Sequence, residues 1–88
     1  MSLERIRSAV EMTTHPKLSQ LLAVLVEHSG LTVSEAAPLL DLPSFVVLRF
    51  ADRLVRLGYA TRSQSGDKRY FATIAGRNMD AVMRRPRP

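Results

Sequence analysis

A chain of 88 residues, 45% hydrophobic and 24% charged, has the composition of one soluble globular domain. The absence of cysteine excludes a disulfide framework and a thiolate metal site. The net charge of +5 is lopsided: residues 1–43 carry three basic and five acidic side chains, whereas residues 44–88 carry ten and three. That asymmetry points the second half toward a polyanion, because Lys and Arg gain by displacing counterions from phosphates; a solvated basic surface is the equally simple alternative. No apolar run approaches the roughly 20 residues needed to span a bilayer. Met1 to Thr14 carries charges throughout and lacks the apolar core of a secretory signal. The expected location is therefore the cytoplasm, away from membranes.

Taken in order, Leu3, Ile6 and Val10, with Ala9 and Met12 beside them, recur at helical spacing, and Glu4, Arg5, Arg7 and Glu11 take the other side. This predicts a short amphipathic helix, interrupted by Thr13-Thr14-His15-Pro16. Packing on its own domain and forming a dimer interface compete as its use. The second is preferred, since so short a chain with five helices has little core for all of them to cover. Thr14 or His15 can cap the next helix, with Pro16 in its first turn, where a missing amide proton does no harm. Residues 17–28 then supply Leu18, Leu21, Leu22, Val24, Leu25 and Val26, the broad apolar face of a central helix that Ser29-Gly30 ends.

Thr32 can cap a further helix and Glu35, three residues on, can reach back to it, which makes a capping box. Ala36, Ala37, Leu39 and Leu40 supply its apolar face. Asp41-Leu42-Pro43-Ser44 breaks the run: proline disfavours helical angles in the residue before it, and Ser44 suits a cap. A second, longer helix is predicted from about Phe45 to Leu57, with Gly58 placed for a left-handed stop. Helix, tight turn and longer helix form the helix-turn-helix plan, whose second helix enters the DNA major groove. Tyr59–Ser63 and Lys68–Ala72 are strand-length runs around the polar turn Gln64-Ser65-Gly66-Asp67. A hairpin in this position is a wing. Thr73 can cap a last helix from about Ile74 to Met83, with Ile74, Met79, Val82 and Met83 as its apolar residues, and Arg84-Arg85-Pro86-Arg87-Pro88 is too charged and proline-rich to fold.

The predicted fold class is α+β, mostly α: a three-helix core, a two-stranded β wing, and flanking N- and C-terminal helices. Residues 1–15 form the N-terminal helix and linker, 16–84 the winged helix-turn-helix domain and 85–88 a disordered basic tail.

The residues at these junctions resemble those of the winged helix-turn-helix transcription regulators of bacteria and archaea, the broad group that includes the MarR, PadR and ArsR families. The resemblance rests on Leu31-Thr32-Val33-Ser34-Glu35-Ala36, on Val47, Phe50 and Leu54, and on Arg53-Leu54-Val55-Arg56-Leu57-Gly58-Tyr59 leading into the wing. Gly66-Asp67-Lys68-Arg69-Tyr70 resembles the wing tip, and Thr73-Ile74-Ala75-Gly76-Arg77 the start of the helix after it. It covers about residues 16–84 and matches no single family throughout. What it implies is a DNA-binding transcriptional regulator, a homodimer joined through its N-terminal helix, its C-terminal helix or both, on double-stranded DNA.

On a wheel of about 100° per residue, Val47, Phe50, Ala51, Leu54 and Leu57 form the inner face of the second helix. Phe45, Arg49, Asp52 and Arg56 fall opposite, with Ser44 and Leu48 at one margin and Arg53 at the other. The resemblance places that outward face in the major groove. Ser44, at a helix N-terminus, then suits a phosphate, Arg49 a guanine, and Arg53 and Arg56 phosphates. Lys68 and Arg69 on the wing, with Arg62 on the facing strand, suit the backbone or minor groove. Phe45, Val46 and Leu48 sit where a DNA reader commonly presents polar residues. They fit thymine methyls, or Val46 and Leu48 are flanking core, or the exposed apolar turn is a docking surface for another protein, and the last defines the alternative function of a winged-helix interaction module. His15 and His28 have no ligand partners at metal-site spacing, no serine sits in a nucleophile elbow, and the glycines cradle no phosphate. Neither an enzyme nor a cofactor is expected, and nothing in the residues identifies a small-molecule effector.

Overall fold

Proline begins the first full helix. In the computed structural model, which describes residues 10–64 and 66–84, α1 (Pro16–Glu27) opens with Pro16 in its first turn and buries Leu18, Leu21, Leu22 and Leu25. That i, i+3, i+4, i+7 stripe packs against every other helix described below and against the second strand. Residues 10–14 ahead of it are also helical, so the break falls at His15 and not at Thr13 as expected. The two threonines are helical, with their hydroxyls donating back to the Val10 carbonyl at 2.8 and 2.9 Å. Met12 is fully buried, and the Ser19 hydroxyl donates to its carbonyl. The described end of this segment thus packs Met12 on its own domain while leaving Val10 exposed; Leu3, Ile6 and Ala9, the rest of the face expected at a dimer interface, lie outside the described residues.

The predicted capping box is present at the start of α2 (Val33–Leu40): the Glu35 amide donates to Thr32 Oγ1 at 3.1 Å and the Thr32 amide to Glu35 Oε1 at 2.9 Å. Ala36, Ala37 and Leu40 are buried, but Leu39 is 55% exposed, contrary to the expected apolar face. Leu39 lies about 110° from the centre of the stripe those three residues define, at about 100° per residue. Asp41 ends the helix in the left-handed region at φ 54. The cap of α3 (Ser44–Arg56) is then Pro43, whose extended backbone fits that role; Ser44, the expected cap, is its first helical residue. Gly58, at φ 83, stops α3 as expected, with Tyr59 N donating to Leu54 O at 2.9 Å and Gly58 N to Val55 O at 3.0 Å. This is a Schellman motif, which needs a residue free to adopt positive φ.

Strands β1 (Ala60–Arg62) and β2 (Tyr70–Ala72) pair antiparallel, Arg62 opposite Tyr70. They are shorter than predicted: Ser63 N still donates to Arg69 O at 2.9 Å, but the Arg69 amide turns to the Ser63 hydroxyl, which itself donates to Asp67 O, so the return backbone bond is not made. Lys68 and Arg69 therefore lie beyond the strand. An isolated antiparallel bridge joins Leu31 to Tyr70, which ties the hairpin to the turn before α2.

Thr73 caps α4 (Ile74–Arg84), accepting from Gly76 N at 3.0 Å while its hydroxyl donates to Gly58 O at 2.7 Å. Met79 and Met83 pack against the core, but Ile74 and Val82 are 80% and 56% exposed, which corrects their assignment to the apolar face. Arg84, expected in the tail, is helical and pairs with Asp80 and Glu27. Residues 85–88 lie outside the described residues. The architecture is the expected one: mostly helical, with a two-stranded antiparallel wing.

Candidate nucleic-acid interface

The geometry of α3 follows from which of its faces the core consumes. Val47, Ala51 and Leu54 are buried, and Phe50 and Leu57 pack against them. Ser44, Phe45, Leu48, Arg49, Arg53 and Arg56 are left exposed, while Val46 is half-buried at the flank. Asp52, also on the outer side, is half-buried because its carboxylate accepts a 2.8 Å hydrogen bond from the Tyr70 hydroxyl. Burial first, and then the bond to Asp52, push the Tyr70 hydroxyl above its ordinary pKa, so it stays a donor; Arg62 opposes that shift.

The eight residues expected to meet nucleic acid divide into groups. Ser44 and Phe45 stand at the N-terminal turn of α3. Arg53 grips the Glu11 carboxylate through Nε and Nη2, the latter at 2.8 Å. Arg69 donates from Nη1 to Glu35 at 2.8 Å and to the Gly30 carbonyl at 3.4 Å, with Asp67 3.8 Å from Nη2. Its backbone hydrogen bond from Thr32 first, and then the charge of Arg69, hold the Glu35 carboxyl below the usual range. Among the described residues, Arg49, Arg56, Arg62 and Lys68 form no ion pair. Arg56 and Arg62 line a single open cleft with Asp52, Val55, Thr61 and Gln64, so α3 and β1 present cations to the same space. Sequence reasoning missed the partners Glu11, Glu35 and Asp52, which lie 42, 34 and 18 residues from Arg53, Arg69 and Tyr70 and leave no local signal.

The Arg53 hydrogen bond is the main cause that lowers the Glu11 pKa. A carboxyl whose folded pKa lies below its unfolded value, about 4.3, contributes stability above that value and loses it as pH falls through the folded pKa. Acidification below about pH 4 is therefore expected to lower the melting temperature of wild type more than that of Glu11→Gln. Equal losses in a pair of thermal scans would show that this contact adds nothing.

Among the described residues no three or more His, Cys, Asp or Glu side chains gather to hold a metal, and no helix is long and apolar enough to cross a membrane. Helix-turn-helix and hairpin, joined through the glycine stop at Gly58, define a winged helix-turn-helix.

No protein-family model matches the chain, and no curated protein matches it. Solved structures do match. The transcriptional regulator SlyA aligns with a TM-score of 0.74 and 23% identity, over 92% of this chain and 61% of that one. Wild-type MarR of E. coli gives 0.68 and 17%, over 93% and 73%. The multiple antibiotic-resistance repressor MarR of Listeria monocytogenes gives 0.69 and 15%, over 74% and 46%, so this chain spans about half of that protein's length. The fold is MarR-like.

Proposed function

We propose that this chain is the DNA-binding part of a cytoplasmic transcriptional regulator, acting by binding and not by catalysis. The observation that carries the reading is the convergence of Arg56 on α3 and Arg62 on β1 upon one open cleft, with Arg49 and Lys68 likewise outside any ion pair among the described residues. Helix α3 enters the major groove, Arg49 reads guanine, and Ser44 and Arg56 take phosphates. Arg62 and Lys68 meet the backbone beside it. Arg53 and Arg69 serve as further phosphate contacts by exchanging Glu11 and Glu35 for the nucleic acid. The exposed apolar side chains Val10, Ile74 and Val82, on the terminal helices, support a homodimer joined there. The exposure of Phe45 and Leu48 favours a second reading, an interaction module that docks through residues 45–48.

The test is fluorescence anisotropy of a random-sequence duplex at several salt concentrations, wild type beside Arg56→Ala, Lys68→Ala. Wild-type affinity is expected to fall steeply with salt, and the slope of log K against log salt to flatten by about two in the variant, one per lost phosphate contact. Absence of binding even at low salt sinks the proposal and leaves the interaction module.

A further inference from the structure

Phe45, Leu48 and Arg49 occupy i, i+3 and i+4 of α3 and so share one stripe, within about one 5.4 Å turn. Phe45 is 66% exposed and Leu48 43%, although the core-facing side of the same helix is fully satisfied by Val47, Ala51 and Leu54. An apolar turn left in water is unfavourable, and here Arg49 within the stripe and Arg56 two turns further on outnumber the one carboxylate of that face, Asp52, which Tyr70 holds, while Arg53 is paired with Glu11. Charge complementarity selects a polyanionic partner for such a patch. The polyanion that also offers apolar groups at the right depth is duplex DNA, whose major groove displays the C5-methyl of thymine. Successive bases on one strand are about 3.4 Å apart, so side chains one helical turn apart meet bases one or two steps apart.

We propose that Phe45 and Leu48 read thymine methyl groups, so that the preferred duplex carries thymines within one or two steps of the guanine taken by Arg49. This rests on the DNA-binding reading and supplies the sequence class that reading lacks. It also turns the residues least suited to a polar reader into the source of its specificity.

The chain is used to select duplexes from a randomised library, and the winning duplex is then rebuilt with deoxyuridine at each thymine in turn. Deoxyuridine keeps every hydrogen-bonding group and removes only the methyl. Wild type is expected to lose about fourfold in affinity for each methyl that Phe45 or Leu48 covers, from about 0.8 kcal/mol for a buried methyl-sized group. Phe45→Ala and Leu48→Ala are each expected to lose the difference only at the thymine which that side chain covers, while Arg49→Lys keeps it at both. Because the change is made in the DNA, loss of folding cannot imitate it. Equal wild-type binding to both duplexes, or selection of sites without thymine beside guanine, overturns the proposal while salt-dependent binding keeps the DNA-binding reading. No duplex binding at all overturns both, and binding indifferent to Phe45→Ala assigns the patch to a protein partner.

Discussion

Gly76→Ala is expected to lower the melting temperature by more than about 10 °C, from a loss on the order of 3 kcal/mol in a domain where each kcal/mol shifts melting by about 4–8 °C. A Cβ at this position would stand 2.0 Å from the Tyr59 carbonyl oxygen and 3.2 Å from Leu22 Cδ1. The oxygen cannot swing aside. Tyr59 is bound through its own amide to Leu54 O at 2.9 Å, and its carbonyl accepts from Thr73 N at 3.0 Å. Relief therefore requires α4 to lift from the start of the wing and from α1. Alanine's better helix propensity returns at most about 1 kcal/mol, so the clash wins. A variant that melts with wild type in a calorimetric scan would mean that α4 does not approach the chain so closely.

Met12→Ala is the second large effect, an expected loss of about 2–5 kcal/mol in urea unfolding. Met12 has no exposed surface, so truncation leaves a cavity under the N-terminal segment. Native stability for a chain of this length is only about 4–13 kcal/mol, which makes the loss a large share of it. Gln20→Ala, an exposed position on α1, serves as the control and is expected to change stability by less than about 0.5 kcal/mol. If both variants unfold at the wild-type midpoint, the segment ahead of Pro16 is not part of the core.

Local chemistry was the legible part. Thr32 with Glu35, Pro16, Gly58 and Thr73 each signal a helix end through a bond or a backbone angle that their own neighbourhood decides, and each sits where expected. The outward placement of Phe45, Arg49 and Arg56 was likewise readable, since thirteen residues of α3 fix the phase of its apolar stripe. Short helices were harder. In the eight residues of α2, Leu39 looked as apolar as Leu40 and only the packing against neighbouring helices separates them. Ile74 was misplaced for the same reason: one apolar residue at a helix start has no phase of its own. Thr13 and Thr14 suggested a break, yet both are helical, with hydroxyls bonded back to the Val10 carbonyl. Within the candidate site, the sequence offered six equivalent-looking cations. Which cations already hold a carboxylate depends on contacts across the fold, and no spacing rule anticipates Glu11 beneath Arg53 or Glu35 beneath Arg69.

Tyr70 bears on how the hairpin can move. Its backbone is bridged to Leu31, it stands opposite Arg62 in the sheet, its ring is in the core, and its hydroxyl holds Asp52 of α3. The hairpin is thus clamped at its root to both helices of the motif, and its pivot moves outward to Ser63 and Arg69. A short lever on a fixed fulcrum adapts little at its tip. Force applied there reaches α3 through the Tyr70–Asp52 bond, through the packing of β1 on α3 and through the chain at Gly58, so a load on the hairpin tip is geared mechanically to the tilt of α3.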